Sequence, residues 1–247
     1  LGVVVATVAG KNRVNAINNK GKFYSNISKI KGVNSPEFRI FRNYEEFLDG
    51  KKQLKNKFEL CIKPSVGVYG SDFYKLSDVN KSKLNKVIAR NKTMLLMQFL
   101  DGFEYSADCV AKNGQLIGFV VRKKLSPNEP QVVVNNQSIN DQVQLLVKEL
   151  NLNGLFNIQF KEYQGTPFVL EINPRLSGRS YYATIAGVNL PSIAAEIFLG
   201  IKKPEEIKTT VSYGLKIGNI NQGVPVLSEI DSSKFNTIHQ PIKESHD

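Results

Sequence analysis

The chain has 247 residues, of which 41% are hydrophobic and 22% are charged. These values are ordinary for a globular protein with one large or two small domains. No apolar run approaches the roughly 20 residues of a membrane-spanning helix and no signal-peptide pattern is present, so we expect a cytoplasmic protein without membrane association. The formal charge of +11 is spread over scattered lysines rather than one basic stripe, which argues against a nucleic-acid ligand.

The cysteines and histidines exclude several kinds of chemistry. Cys61 and Cys109 are far apart and flanked by apolar residues, so they predict buried thiols in strands rather than a disulfide or a metal site. His239 and His246 lie in the last residues, away from every motif. A serine–histidine–aspartate triad is therefore not expected.

Taken in chain order, the predicted elements alternate between helices and antiparallel hairpins. Apolar periodicity and turn residues predict helices at Lys20–Ile30, Tyr44–Lys55 (capped by Asn43), Ser77–Arg90, Asn140–Leu150 and Ile193–Phe198. They predict strands at Val3–Ala6, Phe58–Ile62, Met94–Phe99, Glu104–Val110, Leu116–Val121, Leu155–Phe160 and Phe168–Ile172, and an extended segment over residues 38–40. The fold class is therefore α+β.

The first segment with chemical character begins at Lys63, at the end of a predicted strand. A loop with glycines and serines follows it, over residues 64–71. A lysine ammonium and the backbone N–H groups of such a loop suit phosphate binding. The spacing is not that of a Walker loop. Taken alone, the segment fits a surface loop better than a ligand site.

The second segment runs from the apolar strand at Leu95 into a short polar hinge, residues 98–104. Its backbone can offer N–H and C=O groups to an adenine edge, and the carboxylate of Glu104 can accept hydrogen bonds from ribose hydroxyls. Taken alone, it is a strand followed by a turn.

The third segment places polar side chains within apolar strands. Glu171 and Asn173 point to the same face because the side-chain period of a strand is two, and Gln159 joins them if its strand is the neighbour. Three oxygen-bearing side chains suit Mg²⁺, which takes few protein ligands together with phosphates and water. Arg175 follows the strand and can clamp a phosphoryl group. A polar network at a strand end is the alternative, but polar groups in a buried strand are costly without a role, which favours function.

Together these segments resemble the ATP-grasp superfamily, most closely the type found in the carbamoyl-phosphate synthetase large chain and related stand-alone ligases. The resemblance rests on Glu-Ile-Asn-Pro-Arg-Leu-Ser-Gly at 171–178, Asn-Ile-Gln-Phe at 157–160, and Ala-Gly-Val-Asn-Leu-Pro at 186–191. The loop at residue 63, the hinge at 99–104 and an opening lysine with a glycine–proline turn at 20–36 follow in the family's order. It covers roughly residues 18 to 200.

The resemblance implies a role for each matching position. ATP would be bound by Lys20, Lys63, the loop residues Ser65, Gly67, Gly70 and Ser71, the hinge residues Met97, Gln98, Phe99 and Leu100, and the ribose ligand Glu104. Mg²⁺, with Mn²⁺ as a substitute, would be held by Gln159, Glu171 and Asn173. Arg175 and Lys63 would act on the transferred phosphoryl group, and Arg122 and Ser177 are weaker candidates for substrate contact.

Two positions depart from the family pattern. The hinge has Met97-Gln98 where an acidic residue is usual, and Gln159 stands where many members have a carboxylate, although the carbamoyl-phosphate synthetase branch also has glutamine there. The expected organisation is a linker from an upstream domain over 1–19, a core over 20–225 with a smaller lobe at 34–96, and a tail over 226–247.

The implied activity is an ATP- and Mg²⁺-dependent ligase that converts a carboxylate to an acyl-phosphate for attack by an amine or another nucleophile. Its partners would be a small-molecule carboxylate and a nucleophile. Because members of the family often form dimers, the resemblance is also compatible with a homodimer. Two alternatives stay open: a carbamoyl-phosphate synthetase-like domain that uses bicarbonate, and a nucleotide-binding module without catalysis.

Overall fold

The computed structural model describes residues 17–54, 57–66, 72–125, 130–219 and 225–228. Several predictions fall outside these residues: the strand at 3–6 with most of the proposed linker, the loop residues Gly67, Gly70 and Ser71, both histidines, and most of the proposed tail.

Within the described ranges, the α-helices are α1 (Lys20–Ile27), α2 (Tyr44–Leu54), α3 (Lys81–Arg90), α4 (Gln137–Glu149), α5 (Tyr181–Ile185) and α6 (Leu190–Phe198). The strands are β1 (Phe38–Phe41), β2 (Leu60–Pro64), β3 (Tyr74–Lys75), β4 (Met94–Gln98), β5 (Glu104–Lys112), β6 (Gln115–Lys124), β7 (Gln131–Val133), β8 (Gly154–Tyr163), β9 (Thr166–Asn173), β10 (Lys216–Asn219) and β11 (Pro225–Ser228). Short 3₁₀ turns span Leu76–Asp78 and Pro204–Glu206.

The predicted helices and strands at positions the structure describes are confirmed in type, with shifted ends. The clearest shift concerns the helix predicted from Ser77. The α-helix starts only at Lys81, because the side chain of Asn80 caps it by accepting a hydrogen bond from the Lys83 N–H at 2.8 Å. The predicted cap Asn43 is confirmed, since its side chain accepts from the Glu46 N–H at 2.8 Å.

The smaller sheet has the strand order β1-β4-β2-β3, and all neighbouring strands are antiparallel. One of its faces forms a core with α2 and α3 that includes Phe47, Leu84 and Leu96. The strands of this sheet lie between residues 38 and 98, close to the range expected for the smaller lobe.

The larger sheet has the order β11-β10-β7-β6-β5-β8-β9, again with antiparallel neighbours. Its far edge strand, β11, contains the expected core boundary at residue 225. Two antiparallel sheets with helices on their faces make an α+β fold, as predicted from the sequence.

Each strand of the larger sheet sends alternate side chains to opposite faces. One face carries Ala107, Cys109 and Ile158, which pack with α1 and α4 in a core that continues into the smaller sheet. The other face carries Val110 and Val120, which are covered by α5 and α6. Polar side chains occupy the rest of this second face, which is the setting of the candidate site.

Both cysteines are buried free thiols, Cys61 in β2 and Cys109 in β5, as predicted. Burial raises the pKa of the Cys61 thiol to about 12, so it is inert as a nucleophile. Among the described residues, no helix is both long enough and apolar enough to cross a bilayer.

Candidate active site

A cavity of about 770 Å³ lies along the polar part of the larger sheet. Strands β5, β6, β7 and β8 form its floor, and the loop after β9 forms one wall. Its lining includes Glu104, Ser106, Arg122, Lys124, Gln131, Gln159, Lys161, Ser177 and Arg179. Four of the residues singled out in the sequence, Glu104, Arg122, Gln159 and Ser177, therefore share one cavity.

The structure brings the three expected metal ligands together at the edge of the sheet. Gln159 on β8 is the register partner of Glu171 on β9. The amide Nδ2 of Asn173 donates a hydrogen bond to Oε1 of Glu171 at 2.9 Å. Partnered residues in adjacent strands project to the same face, so these three side chains are neighbours on one face at the edge of the sheet.

This donor set fits Mg²⁺ with nucleotide phosphates as further ligands. It contains one carboxylate and two side-chain amides, and among the described residues no group of three histidine, cysteine or acidic side chains is arranged to hold a metal alone. Mg²⁺ is usually held by one or two carboxylates plus substrate phosphates and water. A cation at Glu171 would thus depend on the nucleotide for part of its coordination.

The two lysines expected to bind phosphates lie at the junction of α1 and β2. The N–H of Lys20 donates to the Ser65 carbonyl at 2.8 Å, and the N–H of Gly21 approaches Ser65 Oγ at 3.3 Å. Ser65 Oγ in turn donates to Asn19 Oδ1 at 3.0 Å. These bonds hold the start of α1 beside the end of β2. The Ser65 hydroxyl is thus buried in a structural contact, and its expected contact with ATP remains a prediction.

Lys63 is connected to the metal-site strand through a buried tyrosine. Its Nζ donates to Tyr24 Oη at 2.9 Å, and Tyr24 Oη donates to the Leu170 carbonyl at 2.6 Å, next to Glu171. Burial lowers the pKa of Lys63 to about 8, although Cys61 and Glu171 favour its charged form. The structure thus joins a lysine of the smaller sheet to the strand of the larger sheet that carries Glu171.

Lys20 belongs to the same charge cluster. Burial lowers its pKa, the neighbouring ammonium of Lys63 lowers it further, and Glu171 acts in the opposite direction. Two desolvated ammonium groups beside one carboxylate leave a net positive charge at this junction. A polyphosphate would compensate that charge.

Part of the hinge backbone forms hydrogen bonds within the protein. The N–H of Gln98 donates to Glu37 O at 2.9 Å, and the N–H of Phe99 donates to Glu59 O at 2.8 Å. Neither amide is available to an adenine ring. Among the described residues, the N–H of Leu100 has no intramolecular acceptor, so it is an amide at the end of β4 that a base edge can use.

Glu104, the expected ribose ligand, lies on the cavity floor between two lysines. Lys124 Nζ donates to one carboxylate oxygen at 2.9 Å and Lys161 Nζ to the other at 3.4 Å. Burial raises the pKa of Glu104, but the hydrogen bond and charge of Lys124, together with Lys161, outweigh burial and hold it below its usual value. The group is an anionic acceptor at neutral pH.

A close backbone approach fixes the hinge relative to the cavity floor. The N–H of Gly102 donates to Glu162 O, and the N–H of Glu162 donates to Phe103 O, both at 2.9 Å. A Cβ atom at position 102 would lie 2.9 Å from the Glu162 carbonyl oxygen. Glycine is therefore required here by the contact between two backbones.

Arg122 and Ser177, the weaker substrate candidates, belong to a buried polar network. Arg122 is 1% exposed and forms an ion pair with Asp108, which is fully buried. Arg122 Nη2 also donates to Ser177 Oγ at 2.7 Å, and the Ser177 hydroxyl donates to Asp108 Oδ2 at 2.9 Å. The guanidinium is thus paired with a carboxylate of the protein, and its predicted contact with substrate remains a prediction.

Arg175 is not brought into the cavity. Its side chain is exposed, and Nη1 donates to the carbonyl of the next residue, Leu176, at 3.0 Å. The arginine of this loop that lines the cavity is Arg179. The role predicted for Arg175, contact with the transferred phosphoryl group, remains a prediction.

Sequence reasoning missed three residues of the site. Tyr24 looks like a core aromatic of an amphipathic helix, and nothing in its local pattern indicates its link to Lys63. Asp108 is a carboxylate in an otherwise apolar strand, a signal equal to the one that identified Glu171. Arg179 is a second arginine on the loop after β9, four residues beyond Arg175, and this proximity in sequence is the signal that could have identified it.

Comparison with known proteins agrees with this arrangement. Residues 90–222, slightly more than half of the chain, match the family described as "ATP-grasp in the biosynthetic pathway with Ter operon". The carbamoyl phosphate synthase large chain of Clostridium beijerinckii is 23% identical over 248 residues, which covers 92% of this chain but 22% of that protein. The chain thus spans about a fifth of the length of the curated relatives it matches.

Solved structures share the fold. The biotin carboxylase–β-γ-ATP complex from Campylobacter jejuni aligns with a TM-score of 0.69 at 11% identity, covering 84% of this chain and 51% of that one. The ATP complex of D-alanine–D-alanine ligase from Bacillus anthracis aligns with a TM-score of 0.58 at 17% identity, covering 83% and 73%. The family match and these structures agree with the α+β fold of two antiparallel sheets. The chain belongs to the ATP-grasp family.

Proposed function

We propose that this chain is the nucleotide-binding core of an ATP- and Mg²⁺-dependent ligase that activates a carboxylate as an acyl-phosphate for attack by an amine or another nucleophile. The observation that carries the proposal is that Lys20 lies beside the end of β2 and that Lys63 is linked through Tyr24 to the Leu170 carbonyl, next to Glu171. Two partly desolvated cations facing a carboxylate with amide neighbours match a polyphosphate and its divalent cation.

Each end of the nucleotide has a candidate partner. The N–H of Leu100 would donate to the adenine edge, because the preceding amides of the hinge are used by the fold. Glu104 would accept hydrogen bonds from the ribose hydroxyls. Lys63 and Lys20 would neutralise phosphate oxygens, and the loop at 65–71 would complete the phosphate contacts.

The metal would be held by Glu171, Asn173 and Gln159, and Mn²⁺ would substitute for it. When bound, the cation supplies positive charge that neutralises the phosphates and favours phosphoryl transfer. The protein's own contribution is to orient the phosphates with its lysines. Such transfer depends on positioning and electrostatics, so it needs no histidine base.

The first experiment is calorimetric titration of ATP with and without Mg²⁺, on the wild type and on Glu171→Ala. We expect Mg²⁺ to strengthen ATP binding by the wild type. In the variant, we expect the Mg²⁺-dependent gain in ATP affinity to be at least about tenfold smaller. Glu149→Ala is the matched control, because Glu149 is an exposed carboxylate at the end of α4. A folded wild-type sample that binds no ATP would contradict the proposal.

Turnover is tested with hydroxylamine as the nucleophile, which converts any acyl-phosphate to a hydroxamate with release of phosphate. Candidate carboxylates are screened for ADP formation together with hydroxamate. Bicarbonate is included in the screen because the curated relatives are carbamoyl phosphate synthase large chains. ADP formation stimulated by bicarbonate alone would favour a carbamoyl-phosphate synthetase-like domain, and ATP binding without any stimulation would favour a module without catalysis.

A further inference from the structure

The buried network around Asp108 and Arg122 is the part of the site that the proposed function leaves unexplained. Arg122 is 1% exposed and Asp108 is fully buried, and they form an ion pair. The pair lies between β5 and β6 on the face that carries the cavity, with Arg122 Cζ 5.5 Å from the centre of the Tyr182 ring. A buried ion pair loses much of its attraction to desolvation, so stability alone is a weak reason for its presence.

Two atoms of this network strengthen the argument. Arg122 Nε and Asn157 Oδ1 are buried without a hydrogen-bond partner among the described residues. A buried polar atom without a partner costs free energy that an apolar core would avoid. The network is therefore better explained by what it holds in place than by its contribution to folding.

The network holds the loop after β9 through one residue. Ser177 contacts the ion pair with both its backbone and its side chain. The N–H of Ser177 donates to Asp108 Oδ1 at 2.8 Å, its hydroxyl donates to Asp108 Oδ2 at 2.9 Å, and the hydroxyl accepts from Arg122 Nη2 at 2.7 Å. Ser177 lies four residues after Asn173 and two before Arg179, so its anchoring limits the positions of both.

The same carboxylate also fixes the strand beside Asn173. Asn157 Nδ2 donates to Asp108 Oδ1 at 3.1 Å and to Ser106 Oγ at 2.8 Å. Asn157 is the register partner of Asn173 in the pairing of β8 with β9. Asp108 therefore restrains the last residue of the metal strand from two sides, through its strand neighbour and through the loop that follows it.

We propose that Asp108 and Arg122 are positioning residues that set the metal-ligand geometry at the end of β9 by holding Ser177 and Asn157. This inference rests on the proposed function, because it concerns the same metal site. Residues behind metal ligands orient them, and their loss typically weakens metal affinity by about 10- to 100-fold.

The test must separate positioning from folding. Removing one partner alone would leave a buried charge and destabilise the fold, whereas replacing both partners by apolar side chains is often neutral or stabilising. The key variant is therefore Asp108→Val with Arg122→Met. The control is Gln142→Met, which breaks buried hydrogen bonds to the Asn34 N–H and Pro167 carbonyl on the opposite face of the same sheet.

The measurement is the affinity for Mn²⁺, by electron paramagnetic resonance, at saturating β,γ-imido ATP on the full chain. The melting temperature and the affinity for β,γ-imido ATP without metal are recorded in parallel. We expect the double variant to unfold cooperatively at a lower melting temperature, because Gln131 and Asn157 lose hydrogen-bond partners, and to bind Mn²⁺ at least about tenfold more weakly while folded. Its affinity for the nucleotide without metal is expected to stay unchanged, and the control variant is expected to keep wild-type Mn²⁺ affinity.

A folded double variant with wild-type Mn²⁺ affinity would overturn the inference, as would an equal loss of nucleotide affinity without metal. A wild-type protein that binds neither Mn²⁺ nor nucleotide would overturn the proposed function instead, and this inference with it.

A milder pair of variants tests the loop contact if the double variant fails to fold. Ser177→Ala removes the hydroxyl that bridges Arg122 and Asp108, and we expect about threefold weaker Mn²⁺ binding because the N–H contact with Asp108 remains. Ser177→Thr keeps the hydroxyl and is expected to restore the affinity. Equal affinities for all three proteins would refute the role of this contact.

Discussion

The lowered pKa of Lys63 predicts that ATP affinity falls steeply at mildly alkaline pH. Lys63 is desolvated and donates a hydrogen bond to Tyr24, and burial lowers its pKa to about 8. Phosphate oxygens require the ammonium form, so the lysine must be protonated in the complex. The perturbation is a change of pH from 7 to 9 on the wild-type protein.

The expected size follows from proton linkage. With a pKa of about 8 in the free protein, the apparent Kd scales as one plus the ratio of neutral to charged Lys63. That factor is about 1.1 at pH 7 and about 11 at pH 9, so ATP should bind roughly tenfold more weakly at pH 9. A lysine with an ordinary pKa near 10.4 would change the Kd by less than about 1.1-fold over the same range.

Other groups facing Lys63 do not reverse the sign. Lys20 has a pKa that is lowered for the same reason, burial, so any contribution from it acts in the same direction. Burial raises the pKa of Tyr24, which keeps its hydroxyl neutral throughout. Cys61 titrates at about 12, above the range of the experiment.

The assay is calorimetric titration of Mg²⁺–ATP at pH 7, 8 and 9, in buffers of different ionisation enthalpy so that proton uptake is measured directly. Lys63→Arg is the control, because a guanidinium stays charged across this range and should remove the part of the pH dependence that comes from Lys63, leaving only any contribution from Lys20. Wild-type ATP binding that is equally strong at pH 7 and pH 9 would refute the assignment of Lys63 as a phosphate ligand with a lowered pKa.

Three further predictions follow from single contacts. Tyr24→Phe removes the hydroxyl between Lys63 and β9, and we expect about 1 kcal/mol lower stability in urea unfolding and about fivefold weaker ATP binding by calorimetry; unchanged ATP affinity would contradict the link. Gly102→Ala places a Cβ 2.9 Å from the Glu162 carbonyl oxygen, and we expect the free energy of unfolding in urea to fall by about 1–3 kcal/mol. A decrease below about 0.5 kcal/mol would contradict the requirement for glycine at this contact. Arg175→Ala should leave the Kd of ATP within about twofold, because the side chain is exposed. If Arg175 contacts the phosphoryl group during transfer, the variant should form ADP about 100-fold more slowly. An unchanged rate of ADP formation would remove Arg175 from the mechanism.

The elements and the metal-ligand face were predictable because they depend on short periods. Apolar residues three and four apart marked α1 and α4, and the asparagine cap at Asn43 marked where α2 begins. Alternation within β9 put Glu171 and Asn173 on one face, and the hairpin from β8 added Gln159. Local patterns of this kind survive into the fold because each presents one apolar face to the core, whichever distant elements pack against it.

The ion pair of Asp108 and Arg122 was within reach of the same reasoning. The hairpin formed by β5 and β6 pairs Asp108 with Val120, which makes Arg122 its diagonal neighbour two residues along the partner strand. A carboxylate in an apolar strand needs a partner, and this register supplies one. What the register does not contain is Ser177, because its approach depends on the path of the loop after β9.

The approach of the two lysines to Glu171 is the part of the candidate site that no local sequence pattern could predict. Lys20, Lys63 and Glu171 come from three segments separated by tens to more than a hundred residues, so their approach depends on how the two sheets are joined. Helix α1 makes that join, since its first turn binds Ser65 after β2 and its Tyr24 binds the Leu170 carbonyl in β9. A change that loosens α1 should therefore weaken phosphate and metal binding together, whereas a change behind Asn173 should affect the metal alone.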